Sequence, residues 1–187
     1  MKGKEEHYFT ALYELAKVVN ASLSPSLVLE KIVSCVAEAM NVKACSLRLL
    51  ERRRKKLLMG AHCGLSEGYI RKGPVLIEES GLDKKALKGN TIWLKNAQKD
   101  KDFQYNEKAK AEGIKSVLVV PLMIEKKSIG VLRVYTKDEK KFDAGEIKFL
   151  EAAANLSAIA LEKARLHQAL RKDYDLLIAH KYRLDDN

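Results

Sequence analysis

The sequence predicts an α+β domain in which an antiparallel sheet carries N-terminal and C-terminal helices on one face, with loops and short helices over the other. Three observations predict it. Residues 113–136, GIKSVLVVPLMIEKKSIGVLRVYT, hold two β-rich runs around a polar Glu125-Lys126-Lys127 turn, the pattern of an antiparallel hairpin. In the second run Gly130, Leu132 and Val134 alternate with Val131, Arg133 and Tyr135, so one face is apolar and the other carries a guanidinium and a phenol. The apolar face needs a cover. Two segments of helical period supply one: residues 25–40, apolar along two stripes, and a long run after Gly145 with neither proline nor glycine.

From residue 5 to about 21, Tyr8, Leu12, Leu15 and Val19 recur at four- and three-residue steps. One narrow stripe of this kind suits helix pairing. Ser24 then reads as an N-cap with Pro25 at the first helical position, where its missing N–H costs nothing. The following helix is apolar along Val28, Ile32, Cys35 and Ala39 and again along Leu29, Val33, Val36 and Met40, so it belongs against the sheet. Residues 44–51 and 56–63 read as strands joined by Arg52-Arg53-Arg54-Lys55, a solvated turn. Cys45, Leu47 and Leu49 share one face of the first strand, Ser46 and Arg48 the other. Residues 64–81 read as loop, punctuated by Gly64, Gly68, Gly73-Pro74 and Gly81.

Residues 82–87 read as one or two helical turns, and 91–94 as a short strand with the only tryptophan. Residues 96–112 form a polar loop running into a short helix, with Phe103 and Tyr105 as a lid or as anchors to the sheet. Pro121 marks a bulge or edge position. Asp143 with Glu146 three residues on reads as a capping box. The helix it starts runs to about residue 182, about 60 Å at 1.5 Å per residue, so its end must leave the domain. Leu170, Leu177 and Leu184 at heptad spacing, with Tyr174 between, give that end a short coiled-coil signal. The expected organisation is a domain over residues 1–166 and a projecting helix over 167–187.

Composition sets limits on function. Apolar residues make up 47% and charged residues 32%, which fits a globular protein with charged helices. No run approaches 18 apolar residues, and MKGKEEHYFT has no signal-peptide core, so a cytoplasmic protein without membrane partners is expected. Three cysteines, Cys35, Cys45 and Cys63, form neither a disulfide framework nor a zinc module. His7, His62, His167 and His180 lack metal-ligand spacing, and no phosphate-loop or nucleophile-elbow motif occurs. The net charge of +10 is spread along the chain. It leaves nucleic-acid association as an alternative function, with no recognition helix or stacking pattern behind it.

Gly-Ile-Lys-Ser at 113–116, Val-Pro-Leu at 120–122, Ile-Gly-Val-Leu at 129–132, then Phe142 and the Ala-rich helix resemble the C-terminal half of a GAF domain, a small-molecule-sensing and dimerising signalling module. The resemblance covers residues 12–166 in element order and is specific between 113 and 161. It implies a homodimer through the terminal helices, a partner protein or further domain that reads the output, and a ligand between the sheet and the loops. Strand alternation points Ser46, Arg48, Val119, Arg133 and Tyr135 there, with Trp93, Phe103 and Tyr105 as candidate walls. Arg48 and Arg133 either hold an anionic ligand group or pair with a loop carboxylate such as Glu67, Glu78 or Asp102.

The subclasses of the family differ in their residues. The Asn-Lys-Phe-Asp-Glu pattern of cyclic-nucleotide binders falls here on Thr136, Lys137, Phe142, Glu146 and Ile147, so only part of it is kept; Glu146 remains able to pair with Lys137. No cysteine has the context of a bilin attachment site. Free methionine sulfoxide reductases use a nucleophilic cysteine, and here Cys63 beside His62 is the candidate for that alternative. The expected function is a non-enzymatic sensor, and neither its ligand nor any cofactor is readable.

Overall fold

The computed structural model describes the backbone of residues 2–21 and 24–185 and the side chains of residues 3–21 and 24–178. Twelve elements follow in order: α1 (Lys2–Ala21), α2 (Pro25–Ala39), β1 (Ala44–Leu50), β2 (Lys56–Cys63), α3 (Glu67–Ile70), β3 (Val75–Leu76), α4 (Gly81–Ala86), β4 (Ile92–Leu94), α5 (Asn106–Glu112), β5 (Val117–Ile124), β6 (Lys127–Tyr135) and α6 (Ala144–Asp185). The strands form one antiparallel sheet in the order β3-β2-β1-β6-β5-β4. The expected α+β class stands. The segment read as loop over 64–81 contains α3 and β3, too short to show a period.

One face of the sheet is covered by α1, α2 and α6. Both stripes of α2 supply the core there, with Val28, Leu29, Ile32, Val33 and Val36, and Met40 just past the helix end, buried in one cluster with Leu47, Leu118, Leu132 and Val134. Tyr8 of α1 stacks on Phe149 of α6 at 4.4 Å between ring centroids. Ala153, Ala154 and Ala158 let α6 approach closely. A second core lies on the other face, under α3, α4, α5 and their loops. Residues in β1 and β6 therefore serve two interiors, helix-side by one phase and lid-side by the other.

Pro121 pairs with Val131 of β6 beyond the point where β4 stops, opposite Val119, so the strand is flanked there on one side only. The register slips between Leu122 and Met123 immediately after it. The hairpin turn holds Glu125 at φ 53°, and Lys127 already belongs to β6.

The capping box at the start of α6 forms in both directions. The Asp143 amide donates to Glu146 Oε2 at 2.9 Å, and the Glu146 amide to Asp143 Oδ1 at 2.8 Å. Glu146 pairs with Lys140 at 2.8 Å and Lys4 at 3.1 Å, tying α1 to α6, and not with Lys137. Burial pushes the Glu146 carboxyl up, but hydrogen bonds from Lys140, the Asp143 amide and Lys4 outweigh it and hold the group below its usual range. A carboxyl lowered on folding adds stability above its unfolded value near 4 and loses it as pH falls through the lowered value. Glu146→Ala should therefore cost about 1–2 kcal/mol at neutral pH and flatten the acid fall of stability in urea unfolding between about pH 5 and 2.

Candidate functional site

The sequence places two arginines on the lid side of the two central strands. Ser46 lies opposite Arg133 in the β1–β6 register and Arg48 opposite Val131, so the guanidinium-bearing residues are diagonal neighbours. Val119 stands across from Arg133 on β5. Tyr135 and Ser46 share a 2.8 Å hydrogen bond between hydroxyls. All five are buried, Arg48 and Arg133 to 1% exposure. Fully buried arginines are rare without partners.

The lid is built from short, capped pieces. Ser66 accepts from the Tyr69 amide at 3.2 Å and opens α3; Glu112, from the end of α5, accepts from the Ser66 amide at 3.0 Å and from Lys43 at 3.2 Å. Tyr69 meets Tyr135 edge-on at 6.2 Å. Two residues past α3, Lys72 returns over the sheet. Its Nζ lies 3.7 Å from the Tyr69 ring centroid, 4.4 Å from that of Tyr105 and 5.9 Å from that of Phe103, an aromatic cage around an amine. Tyr105 is fixed by donating its hydroxyl to the Pro74 carbonyl at 2.7 Å. Ser80 caps α4, accepting from the Asp83 amide at 3.4 Å and donating to Asp83 Oδ2 at 2.5 Å.

Asp83 also ion-pairs with Arg133, both side chains 1% exposed. The carboxylate that answers Arg133 is thus none of those expected. Glu67 pairs with Arg71 at 2.7 Å and Asp102 with Lys85 at 2.5 Å, and Glu78 is in no ion pair with either arginine among the described residues. The reason is lid geometry: Asp83, in the first turn of α4, is fully buried, whereas Glu67 and Glu78 are exposed and Asp102 is turned to Lys85. Arg48 is different. Its Nε and Nη2 are buried with no hydrogen-bond partner among the described residues, as are Lys72 Nζ, Tyr69 Oη, Asp83 Oδ1 and Arg133 Nε.

Trp93 is not brought to this cluster. In the β4–β5 register it lies opposite Leu118, a helix-side residue, and its indole Nε1 donates to the Lys140 carbonyl at 2.9 Å. Ile92 and Leu94 take the lid-side phase instead. Lys72 and Tyr69, central here, come from a stretch with no period, and Asp83 from a helix of one or two turns, too short for its inward face to be read from spacing. The available signal was Ser80 three residues before Asp83, the spacing of a capped turn.

Three basic side chains thus gather near the Asp83 carboxylate. Burial and the neighbouring Arg133 push Arg48 down, with Tyr135 opposing. Burial alone would lower Arg133 too, but Asp83 holds it above its usual range. Burial, then the charges of Arg48 and Arg133, push the Lys72 amine down to about 6, with Asp83 and Glu112 opposing. Since the unfolded chain binds that proton up to about pH 10, the linkage sign is positive: stability rises with pH from about 6 toward 10. In Lys72→Met that rise should shrink, which chemical unfolding across pH 6–9 would read.

The cysteines lie elsewhere. Cys45 and Cys63 stand opposite each other on β1 and β2, against the helices, and Cys35 is on α2. No group able to hold a metal ion occurs among the described residues.

The profile of the GAF domain family matches residues 22–162. The chain belongs to the GAF domain family. Among curated proteins, this GAF protein is 27% identical over 173 residues to a formate hydrogenlyase transcriptional activator of Salmonella typhimurium, covering 88% of this chain and 25% of that protein. It thus spans about a quarter of the length of the curated relatives it matches. The GAF domain of an Acinetobacter phosphoenolpyruvate-protein phosphotransferase superposes with TM-score 0.71 at 27% identity, over 84% of this chain and 94% of that one. The corresponding domain from Coxiella burnetii gives 0.78 at 20% identity, over 88% and 98%. A free methionine-R-sulfoxide reductase of Neisseria meningitidis gives 0.72 at 19%, over 86% and 91%, a likeness of fold. GAF domains are sensing and signalling modules found in regulators and kinases.

Proposed function

We propose that this GAF protein is a non-enzymatic sensor that binds a small molecule between sheet and lid and dimerises through α1 and α6. The observation that carries the reading is Arg48, a guanidinium buried on the lid side of the sheet with two donors unanswered by the described residues. A binding domain tolerates such a group because a ligand supplies the missing acceptor. Ser46, Val119, Arg133 and Tyr135 form the floor around it and Phe103 and Tyr105 the wall, while Trp93 faces the other way. The position of all three cysteines away from this cluster favours sensing over thiol chemistry.

Native mass spectrometry of protein purified without added ligand, repeated after denaturation, tests it. A small molecule at one per chain that is lost on unfolding supports the reading; protein free of any such molecule, with no stabilisation by a metabolite library, overturns it.

Dimerisation is supported by apolar side chains that the single chain leaves in water. Phe9 and Tyr13 of α1 are 71% and 57% exposed and flank a groove shared with Ala152 and Leu156 of α6. Further along α6, Ile159, Leu166, Leu170 and Leu177 are exposed at steps of seven, four and seven residues, one face of the helix. Leu184 lies outside the residues whose side chains are described. A second copy laid alongside would cover this face, and a ligand would act by shifting how the helices pack. A chain ending at Lys163 should therefore associate at least tenfold more weakly by light scattering; an unchanged mass would count against α6 as the seam. No described helix is long and apolar enough to cross a membrane.

A further inference from the structure

The charge pattern of the cluster says what kind of molecule answers it. Asp83 balances Arg133, leaving Arg48 and the Lys72 amine without an ion-pair partner among the described residues. The free donors of Arg48 are Nε and Nη2, which together form one side of the guanidinium plane. That edge offers two parallel N–H bonds, the geometry in which arginine grips two oxygens of a carboxylate or a phosphate. Around it the surfaces are apolar or aromatic, from Val119 and Val131 below to Tyr69, Phe103 and Tyr105 above. In such surroundings a group carrying a single negative charge, as a carboxylate does, is less costly to bury than a more highly charged inorganic ion.

We propose that the occupant is a small organic carboxylate, its two oxygens on the Nε–Nη2 edge of Arg48 and Lys72 as the second cationic contact. The proposal rests on the pocket reading above and names the ligand class for it. Lys72 then does more than add a donor. It is held by aromatic faces from α3 and the loop before α5, and the charges that reach it come from Arg48 on β1, Arg133 on β6, Asp83 on α4 and Glu112 on α5, with the Tyr69 and Tyr105 phenols beside its amine. Two of these charges are cations that disfavour its ammonium form. A bound carboxylate screens them and restores the proton, so binding takes up a proton at neutral pH and tightens as the pH falls toward 6.

The test uses the full chain and a matched series of probes: formate, acetate and benzoate, each beside its neutral amide, with inorganic phosphate as a separate arm and sodium chloride as the ionic-strength control. Saturable thermal stabilisation by at least one carboxylate and not by its amide is expected. Arg48→Met, which removes an unanswered buried charge and is expected to fold, should weaken that carboxylate at least tenfold. Arg48→Lys keeps the charge without the fork and should weaken it as well. In Lys72→Met the residual affinity should be flat between pH 6 and 8, where the parent falls severalfold. Stabilisation by the amides and not the acids overturns the carboxylate while leaving the pocket reading intact. A response to phosphate alone overturns the carboxylate class. No response to any probe, together with a protein that carries no small molecule through purification, overturns both readings and assigns water to Arg48. Equal binding by parent and Arg48→Met overturns the site.

Discussion

Asp83→Asn is expected to lower stability by about 3–5 kcal/mol, the cost of leaving a buried guanidinium without its counter-charge. Arg133 is 1% exposed, and the carboxylate from α4 is the ion-pair partner it has among the described residues. The asparagine keeps the shape and an oxygen beside Ser80, so the change isolates charge. Urea unfolding of the ligand-free protein reads it. If the loss arises from the stranded cation, then removing both partners, as Asp83→Leu with Arg133→Met, should recover most of it, because a buried ion pair replaced by apolar side chains of similar size is often neutral or stabilising. A double variant as weak as the single one would instead assign the loss to the packing of α4 on the sheet. A large part of a domain's usual 5–15 kcal/mol is at stake, so the single variant should be studied at low temperature.

Gly130→Ala should be nearly as damaging, by about 3 kcal/mol, the upper end of what over-packing costs. A Cβ at this position would stand 2.2 Å from the Arg48 carbonyl oxygen on the neighbouring strand, and 3.1 Å from a methyl of Leu122. Backbone cannot move aside as a side-chain tip can, so β1 and β6 would have to part at the point where they carry Arg48 and Val131. Thermal unfolding measures the loss. Any carboxylate affinity should fall with it, since the displaced strand is the one that aims the guanidinium. An alanine variant of parental stability would mean that the two central strands are farther apart than the register indicates.

Residues with a period were readable from the chain alone. The two apolar stripes of α2 do pack against the sheet, the capping box at Asp143 and Glu146 forms, and the alternation in β1 and β6 correctly directs Ser46, Arg48, Arg133 and Tyr135 away from the helices. Each of these depends on neighbours within one element, where geometry follows from spacing. Trp93 marks the limit of local spacing. A three-residue strand has too few residues to reveal its phase, and the phase came from pairing with β5.

The same boundary divides the site. The sequence by itself determined the floor of the cluster, because strand alternation is a local property of covalent geometry. Only the tertiary structure decided that Asp83 answers Arg133, that Lys72 sits among Tyr69, Phe103 and Tyr105, and that the Nε and Nη2 of Arg48 have no hydrogen-bond partner among the described residues. Those facts depend on where a non-periodic lid crosses the sheet. A lid of short capped turns takes its path from long-range contacts such as Glu112 to Ser66 and Ser128 to the Leu87 carbonyl, which no local spacing encodes.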